Sequence, residues 1–321
     1  MRKGLPLFYM YQEGSMLIET LKSGNSFTGN YILKQPEIRV SQKGNKYFTG
    51  YLQDKSGKLE FKLWNEPAEA FCENQIVTVS GTVSEFRGNL NLILSHIQTA
   101  DSNVDKSDLI PSAPIPEKAY KAQMTRLLQS INDPDYKALL LVIKKRYNDW
   151  FKAPAGKSVH HDYLNGLLMH TVHIMQLCSD ACKLYPFLNR DLLITAAYLH
   201  DIGKPVGEFQ FTGDGLVETY TTEGLLYGHL ISGAMLIRDI CREIQMDETK
   251  CMLLTHCILS HHGQPDYGAA VRPALPEADL LAKLDMMDAQ MEIFRKTLSE
   301  QEPDTVSKNI AYLDNRRIYK A

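Results

Sequence analysis

A chain of 321 residues, 44% of them hydrophobic, exceeds one typical domain and carries enough apolar material for two packed cores, which excludes a disordered protein. A net charge of −3 excludes a broadly basic protein that coats nucleic acid by charge alone. The six cysteines (72, 178, 182, 241, 251 and 257) have neither CxxC nor disulfide-framework spacing, and no apolar run reaches membrane-spanning length, so the cytoplasm is the expected compartment, with no membrane partner.

Residues 1–15 hold a short apolar piece, Leu5 to Tyr11, that ends at Gln12-Glu13 without a cleavage-type segment. Because Met16 follows Gly14-Ser15, they read as an N-terminal extension or a cloning remnant and stand outside the fold. Residues 16–100 show short alternating β-rich segments at Phe27–Tyr31, Lys46–Gln53, Leu59–Leu63, Ile76–Val83 and Leu90–Ile97, separated by turn pairs such as Gly44-Asn45, Ser56-Gly57 and Gly88-Asn89. Five strands in a meander of this length predict a small closed all-β barrel, with the OB-fold as the expected form. The run Lys43-Gly-Asn-Lys46-Tyr47, followed by Leu52-Gln-Asp54-Lys-Ser-Gly57 and Phe61-Lys-Leu-Trp64, resembles nucleic-acid-binding OB domains. Such barrels stack bases on aromatics flanked by cations. Tyr31, Tyr47 and Trp64 with Lys43, Lys46 and Arg87 are the residues assigned to substrate contact, and Tyr51, Phe86 and Lys62 share the pattern. Strand alternation sends about every second ring into the core, and the pattern alone does not reveal which face is outside.

Residues 101–116, polar and then studded with Pro111, Pro114 and Pro116, cannot be helical and read as a linker. Residues 117–321 switch to helical periodicity, first from Glu117 with Tyr120, Met124, Leu127, Leu128 and Ile131, then from Asp133 through Trp150. A basic stretch, Lys152-Ala-Pro154-Ala-Gly-Lys157, leads to His160-His161, which are assigned to substrate phosphate against the alternative of a plain helix start. Leu164, Leu167, Leu168, Thr171, Ile174 and Met175 repeat at helical spacing, and His170 falls beside that stripe, facing inward. A further apolar helix closes on His200-Asp201-Ile-Gly203-Lys204, where adjacent His and Asp can point at one metal. Phe209–Phe211 and Leu216–Thr221, around a turn at 212–215, predict an inserted β-hairpin. His229 opens Gly228-His229-Leu-Ile-Ser-Gly233, whose small residues allow close helix approach. Asp247 is the expected N-cap of a helix that passes His256 and runs out at Ser260-His261-His262-Gly263. Leu280, Leu281, Leu284 and Met287 mark a last amphipathic helix carrying Asp285, a carboxylate that needs a partner if buried.

Neutral imidazole and carboxylate suit divalent Mn, Fe, Co, Ni or Zn. The order His170, His200-Asp201, His229, His261-His262, Asp285 is that of the HD superfamily of metal-dependent phosphohydrolases, which residues 155–295 resemble. The family's one-metal form implies His170, His200, Asp201 and Asp285 as ligands, while the added His229, His261 and His262 favour two metals with Asp201 bridging. His256 lies slightly more than one turn earlier and competes with His261 or His262. His96 and His173 read as hydrogen-bonded residues with no ligand role.

An OB barrel followed by His160-His161-Asp-Tyr-Leu-Asn-Gly-Leu-Leu-Met-His170-Thr, the His-Asp pair and Leu-Ser-His-His-Gly resembles the YhaM-type 3′-to-5′ exoribonucleases, over nearly the whole chain from Met16. Asn165 and Met169 stand where the family motif has a Gly and a Glu. The resemblance implies a multidomain hydrolase: an OB-fold barrel, then an all-α HD bundle with a short β-hairpin insertion. It implies a manganese-dependent exonuclease on single-stranded RNA, with single-stranded DNA as the alternative, and 5′-mononucleotides as products. Asp201 would be central to catalysis, and Lys204 would offset charge on the phosphate, against the alternative of a solvated lysine complementing a helix end. A homo-oligomer is compatible with the sequence. Two other classes compete. A phosphodiesterase for small nucleotides is opposed by the barrel and by Gly263-Gln-Pro-Asp-Tyr-Gly268 where the cyclic-dinucleotide branch has Gly-Tyr-Pro. A nucleic-acid-binding protein with a regulatory HD domain is opposed by the intact ligand set.

Overall fold

The computed structural model describes residues 16–321 except 42, 65–69, 87, 102, 105–108, 110–111, 157–162, 212–214 and 216, so residues 1–15, Arg87, His160 and His161 lie outside the described residues. The chain separates into two compact units, residues 1–111 and 112–321.

In the first unit β1 (Ser26–Val40), β2 (Lys46–Asp54) and β3 (Gly57–Leu63) form a meander, and β4 (Ile76–Phe86) and β5 (Asn89–Thr99) a hairpin. Parallel pairing of β3 with β5 at Phe61↔Leu92 and antiparallel pairing of β1 with β4 close the sheet in the order β1-β2-β3-β5-β4, the OB-fold barrel. Alternate side chains fill it: Phe27, Tyr31, Leu33, Phe48, Leu52, Phe61, Val77, Val79 and Leu92 are all buried. The first strand extends nine residues beyond Tyr31. A bulge between Lys34 and Glu37, with Gln35 at φ 50°, lets its first half pair with β4 and its second with β2. Pro36 and the polar Glu37 and Arg39 hide that second half from a reading of alternation.

Tyr31 corrects one expectation. It is a core residue and not a substrate contact: the ring is fully buried and its hydroxyl donates to the Met16 carbonyl at 2.6 Å. Its place opposite β4 turns it inward with Phe27, whose ring it meets edge-on.

The second unit is a helical bundle. Its elements are α1 (Glu117–Gln129), α2 (Pro134–Arg146), α3 (Gly166–Leu184), α4 (Arg190–Leu199), α5 (Thr222–Glu243), α6 (Glu248–Ser260) and α7 (Pro276–Ser299). Local chemistry starts several of them: the side chains of Asp133, Asn189, Thr221 and Asp247 accept from backbone N–H groups of the first turns of α2, α4, α5 and α6. Leu167, Leu168, Ile174, Leu193, Ile194, Ile202, Leu254, Ile258 and Leu281 build one core between the helices. The expected hairpin is present as β6 (Phe209–Phe211) and β7 (Val217–Tyr220). Part of the stretch read as linker packs on this unit instead, since the Ala113 N–H donates to the Leu164 carbonyl at 2.8 Å. A small C-terminal pair, β8 (Thr305–Val306) with β9 (Tyr319–Lys320), has no counterpart in the sequence reading. No helix among the described residues is long and apolar enough to cross a membrane.

Candidate metal centre

Five elements of the bundle deliver side chains to one buried point. His170 lies on α3, one turn in from its start, and its ring follows the apolar stripe inward. His200 is the C-cap of α4, so the chain turns there and presents Asp201 next to it. Lys204 to Glu208 then form a π-helical turn, a local widening of the helix often found at functional sites. His229 follows Gly228, whose φ of 67° and ψ of 168° break α5. Only glycine adopts that conformation readily, and the break re-aims the next residue. His261 is the C-cap of α6, with His262 beside it and Gly263 at φ 77° ending the helix. Asp285 comes from α7.

The five histidine rings are oriented alike. In each, Nδ1 is held from outside: by Asp288 for His170 at 2.7 Å, by the Ala197 carbonyl for His200 at 2.9 Å, and by Glu208 for His229 at 3.1 Å. The Ile258 carbonyl holds His261 at 2.7 Å and the Tyr267 carbonyl holds His262 at 3.0 Å. Every Nε2 is therefore left to face the interior.

Among the described residues these atoms form two groups with metal-ligand spacing, His170 with His200 and Asp285, and His229 with His261 and His262. Asp201 stands between them. Its Oδ2 lies 3.7 Å from His170 Nε2 and 3.4 Å from His200 Nε2, and its Oδ1 lies 3.5 Å from His229 Nε2 and 3.7 Å from His261 Nε2. Asp201 Oδ1 and His261 Nε2 are both buried without a hydrogen-bond partner. Such unpartnered polar atoms are costly in a protein interior unless something binds them, and this imidazole and carboxylate set fits a borderline divalent metal.

The electrostatics are those of the metal-free centre, in which a proton on His170 occupies the place a bound cation would take. Burial works against the charge on Asp201, but Lys204 and the His200 ring outweigh it and hold the carboxyl well below its usual range. Asp285 is held low against the same penalty, chiefly by its hydrogen bond to His170. Burial also opposes charge on His170, but Asp285 and Asp288 carry it up to about 10. Burial, helped by the His261 and His229 rings, pushes His262 down to about 3, so that ring is neutral and ready to donate a lone pair at any ordinary pH. Lys204 is no solvated helix-end lysine: its side chain is 12% exposed and its Nζ lies 2.8 Å from Asp201 Oδ2.

All seven residues expected at the centre converge there, and His256 does not. Its Nε2 accepts the Ala274 N–H at 2.9 Å, so it fastens the loop after α6 and no longer competes with His261 or His262. His173 is hydrogen-bonded, as expected, but its partner is the Asp288 carboxylate that also holds His170. Asp288 and Glu208 have no counterpart among the residues expected from the sequence. Asp288 sits three residues after Asp285, hence on the same face of α7, and that spacing was its one available signal.

On the barrel, considered by itself, Tyr47 and Trp64 form a tilted ring pair with centroids 5.3 Å apart, and Trp64 is 51% exposed. Lys43 and Lys46 are exposed on the loop and strand end leading to Tyr47.

A family model described as HD domain matches residues 167–290. The 3′-5′ exoribonuclease YhaM of Oceanobacillus iheyensis is 31% identical over 307 residues, spanning 92% of this chain and 94% of that protein. The protein of the same name from Bacillus licheniformis is 32% identical over 295 residues, spanning 90% of this chain and 93% of that one. Among solved structures, the second OB-fold domain of replication protein A from Methanococcus maripaludis is similar to 28% of this chain and 98% of its own, at 23% identity and a TM-score of 0.23. With an HD domain matched across its metal centre and two relatives aligned over nearly its whole length, the chain belongs to the YhaM family of 3′-5′ exoribonucleases.

Proposed function

We propose that this chain hydrolyses single-stranded RNA from its 3′ end in a divalent-metal-dependent reaction that releases 5′-mononucleotides. The observation that carries the reading is Asp201, whose two oxygens face two separate imidazole-rich groups. His170, His200 and Asp285 would hold one metal, His229, His261 and His262 a second, and Asp201 would serve both. Manganese is the proposed ion, and Co, Fe, Ni and Zn suit the same donors. Bound divalent metal supplies Lewis acidity toward phosphate and lowers the pKa of water.

The residues of the chain do the rest. The outward hydrogen bonds at Nδ1 fix the ring planes, so no reorganisation is needed when substrate arrives. Lys204, a cation held against Asp201, offsets charge that accumulates on the phosphate oxygens. Hydrolysis forms a bond from a water oxygen to phosphorus and breaks the P–O3′ bond. The departing O3′ takes a proton, leaving RNA one nucleotide shorter with a free 3′ hydroxyl. Tyr47 and Trp64 are the proposed stacking platform for bases, with Lys43 and Lys46 along the backbone. Arg87, His160 and His161 remain proposed substrate contacts. Single-stranded DNA offers the same rings and phosphates and is the competing substrate.

The test is digestion of 5′-labelled RNA. A ladder shortening one nucleotide at a time, stopped by chelator and restored by Mn2+, is expected. Internal fragments, or digestion that ignores chelator, would refute the proposal.

A further inference from the structure

The two metal-ligand groups share a pattern of support. In each, one histidine is backed by a carboxylate, and the other rings are backed by main-chain carbonyls: Asp288 stands behind His170 and Glu208 behind His229. The two carboxylates differ in how they are held. Asp288, 7% exposed, has both oxygens committed, Oδ2 to His170 Nδ1 at 2.7 Å and Oδ1 to His173 Nδ1 at 2.8 Å. His173 Nε2 in turn lies 3.0 Å from the Tyr120 hydroxyl on α1. One set of proton positions with both rings neutral satisfies the row. The Tyr120 O–H donates to His173 Nε2, the His173 and His170 Nδ1–H groups donate to Asp288, and His170 Nε2 faces the centre. A carboxylate clamped on both sides cannot rotate, so neither can the imidazole it holds. A carboxylate partner also makes that imidazole a stronger ligand.

We propose that Asp288 is a positioning residue that sets the metal affinity of the His170, His200 and Asp285 group, with His173 and Tyr120 fixing Asp288 from behind. The row ties α1, α3 and α7 together. Glu208 plays the corresponding part for His229 without a further residue behind it among the described contacts. This inference rests on the metal reading above.

The experiment is a Co2+ titration of the metal-free full chain, followed by visible absorption and by competition with a chelating dye. Wild type should take up two equivalents. Asp288→Asn preserves the side-chain volume and should weaken one uptake step by about 10- to 100-fold, leaving the other within error, whereas Glu208→Gln should weaken the other step. Should Asp288→Asn fail to fold, Tyr120→Phe removes only a half-buried hydroxyl. It should weaken the same step as Asp288→Asn by about two- to tenfold, the reach of one neutral hydrogen bond. Wild-type uptake at both steps in Asp288→Asn, or in Tyr120→Phe where that is the variant that folds, overturns the proposal. Equal weakening of both steps overturns it as well, because that is the signature of a merely structural role. A wild-type chain that binds no Co2+ would instead refute the metal reading itself.

Discussion

Asp201 is the residue whose replacement should be felt most widely, because each of its oxygens serves a different set of rings. Asp201→Asn puts an amide nitrogen, which cannot ligate, where one oxygen stood. Hydrolysis of RNA should fall by about 10²-fold or more, and elemental analysis should show metal lost together with activity. A purified variant that retains full metal and normal turnover would remove Asp201 from the centre. At the barrel, Trp64→Ala should weaken binding of single-stranded RNA, by about 1–3 kcal/mol if one base stacks there, with the melting temperature unchanged because the ring is half exposed. Unchanged affinity in a gel-shift or anisotropy titration would move the platform elsewhere. These two sites differ in how far they are legible. His170, His200, Asp201, His229, His261, His262 and Asp285 each mark the apolar face or the end of a helix, so their order alone brings them together. Glu208 carries no such mark and Asp288 only its spacing from Asp285, since an outer carboxylate must only reach a ring nitrogen. Tyr31 and Tyr47 look equivalent in the sequence, and only the pairing of β1 with β4 assigns one to the core and leaves the other beside Trp64.

The breaks in the helices decide the site as much as the helices do. Gly203 lies so close to α5 that an added Cβ would collide with the His229 carbonyl oxygen and sit 2.9 Å from the Gly233 nitrogen. Gly203→Ala must therefore push α5 outward, and overpacking of this kind costs about 1–3 kcal/mol. The shift falls on His229, so uptake at the second metal-ligand group should weaken while the His170 group keeps its affinity. Metal titration of the variant with normal uptake at both groups would show that α5 can move without disturbing the ring. The run Gly228-His229-Leu-Ile-Ser-Gly233 signals close approach, yet nothing in it reveals that Gly203 is the surface approached or that α5 bends at Gly228. Propensity describes helices well, and contacts between distant segments decide where they stop being regular. The long β1 makes the same point, because its second half forms through pairing with β2 in spite of Pro36.

For the molecule as a whole, two units with separate cores allow binding and cleavage to be separated. Removing residues 1–111 should weaken binding of long RNA by orders of magnitude, as several stacking contacts at about 1–3 kcal/mol each are lost. Cleavage of a dinucleotide, which offers the barrel almost nothing to hold, should change little. Loss of dinucleotide cleavage with long-RNA affinity intact would mean that the barrel completes the active site. The division into a barrel and a bundle is legible because the hydrophobic period switches from two to 3.6 after the proline-rich stretch. The docking of Ala113 onto the bundle is not, since it depends on backbone bonding to Leu164 and on packing against Tyr163 and Met169, all far along the chain. The two cores have one more consequence, which concerns survival and not chemistry. Both metal-ligand groups among the described residues lie in one unit, so free metal at about 100-fold above its Kd would add about 2.7 kcal/mol to that unit's stability. Calorimetry should show two transitions, of which chelator lowers one and leaves the other in place, and a joint shift would contradict this. In a metal-starved cell the cleaving half alone would lose that margin, and a chain damaged there would keep the barrel proposed to grip RNA without the means to cut it.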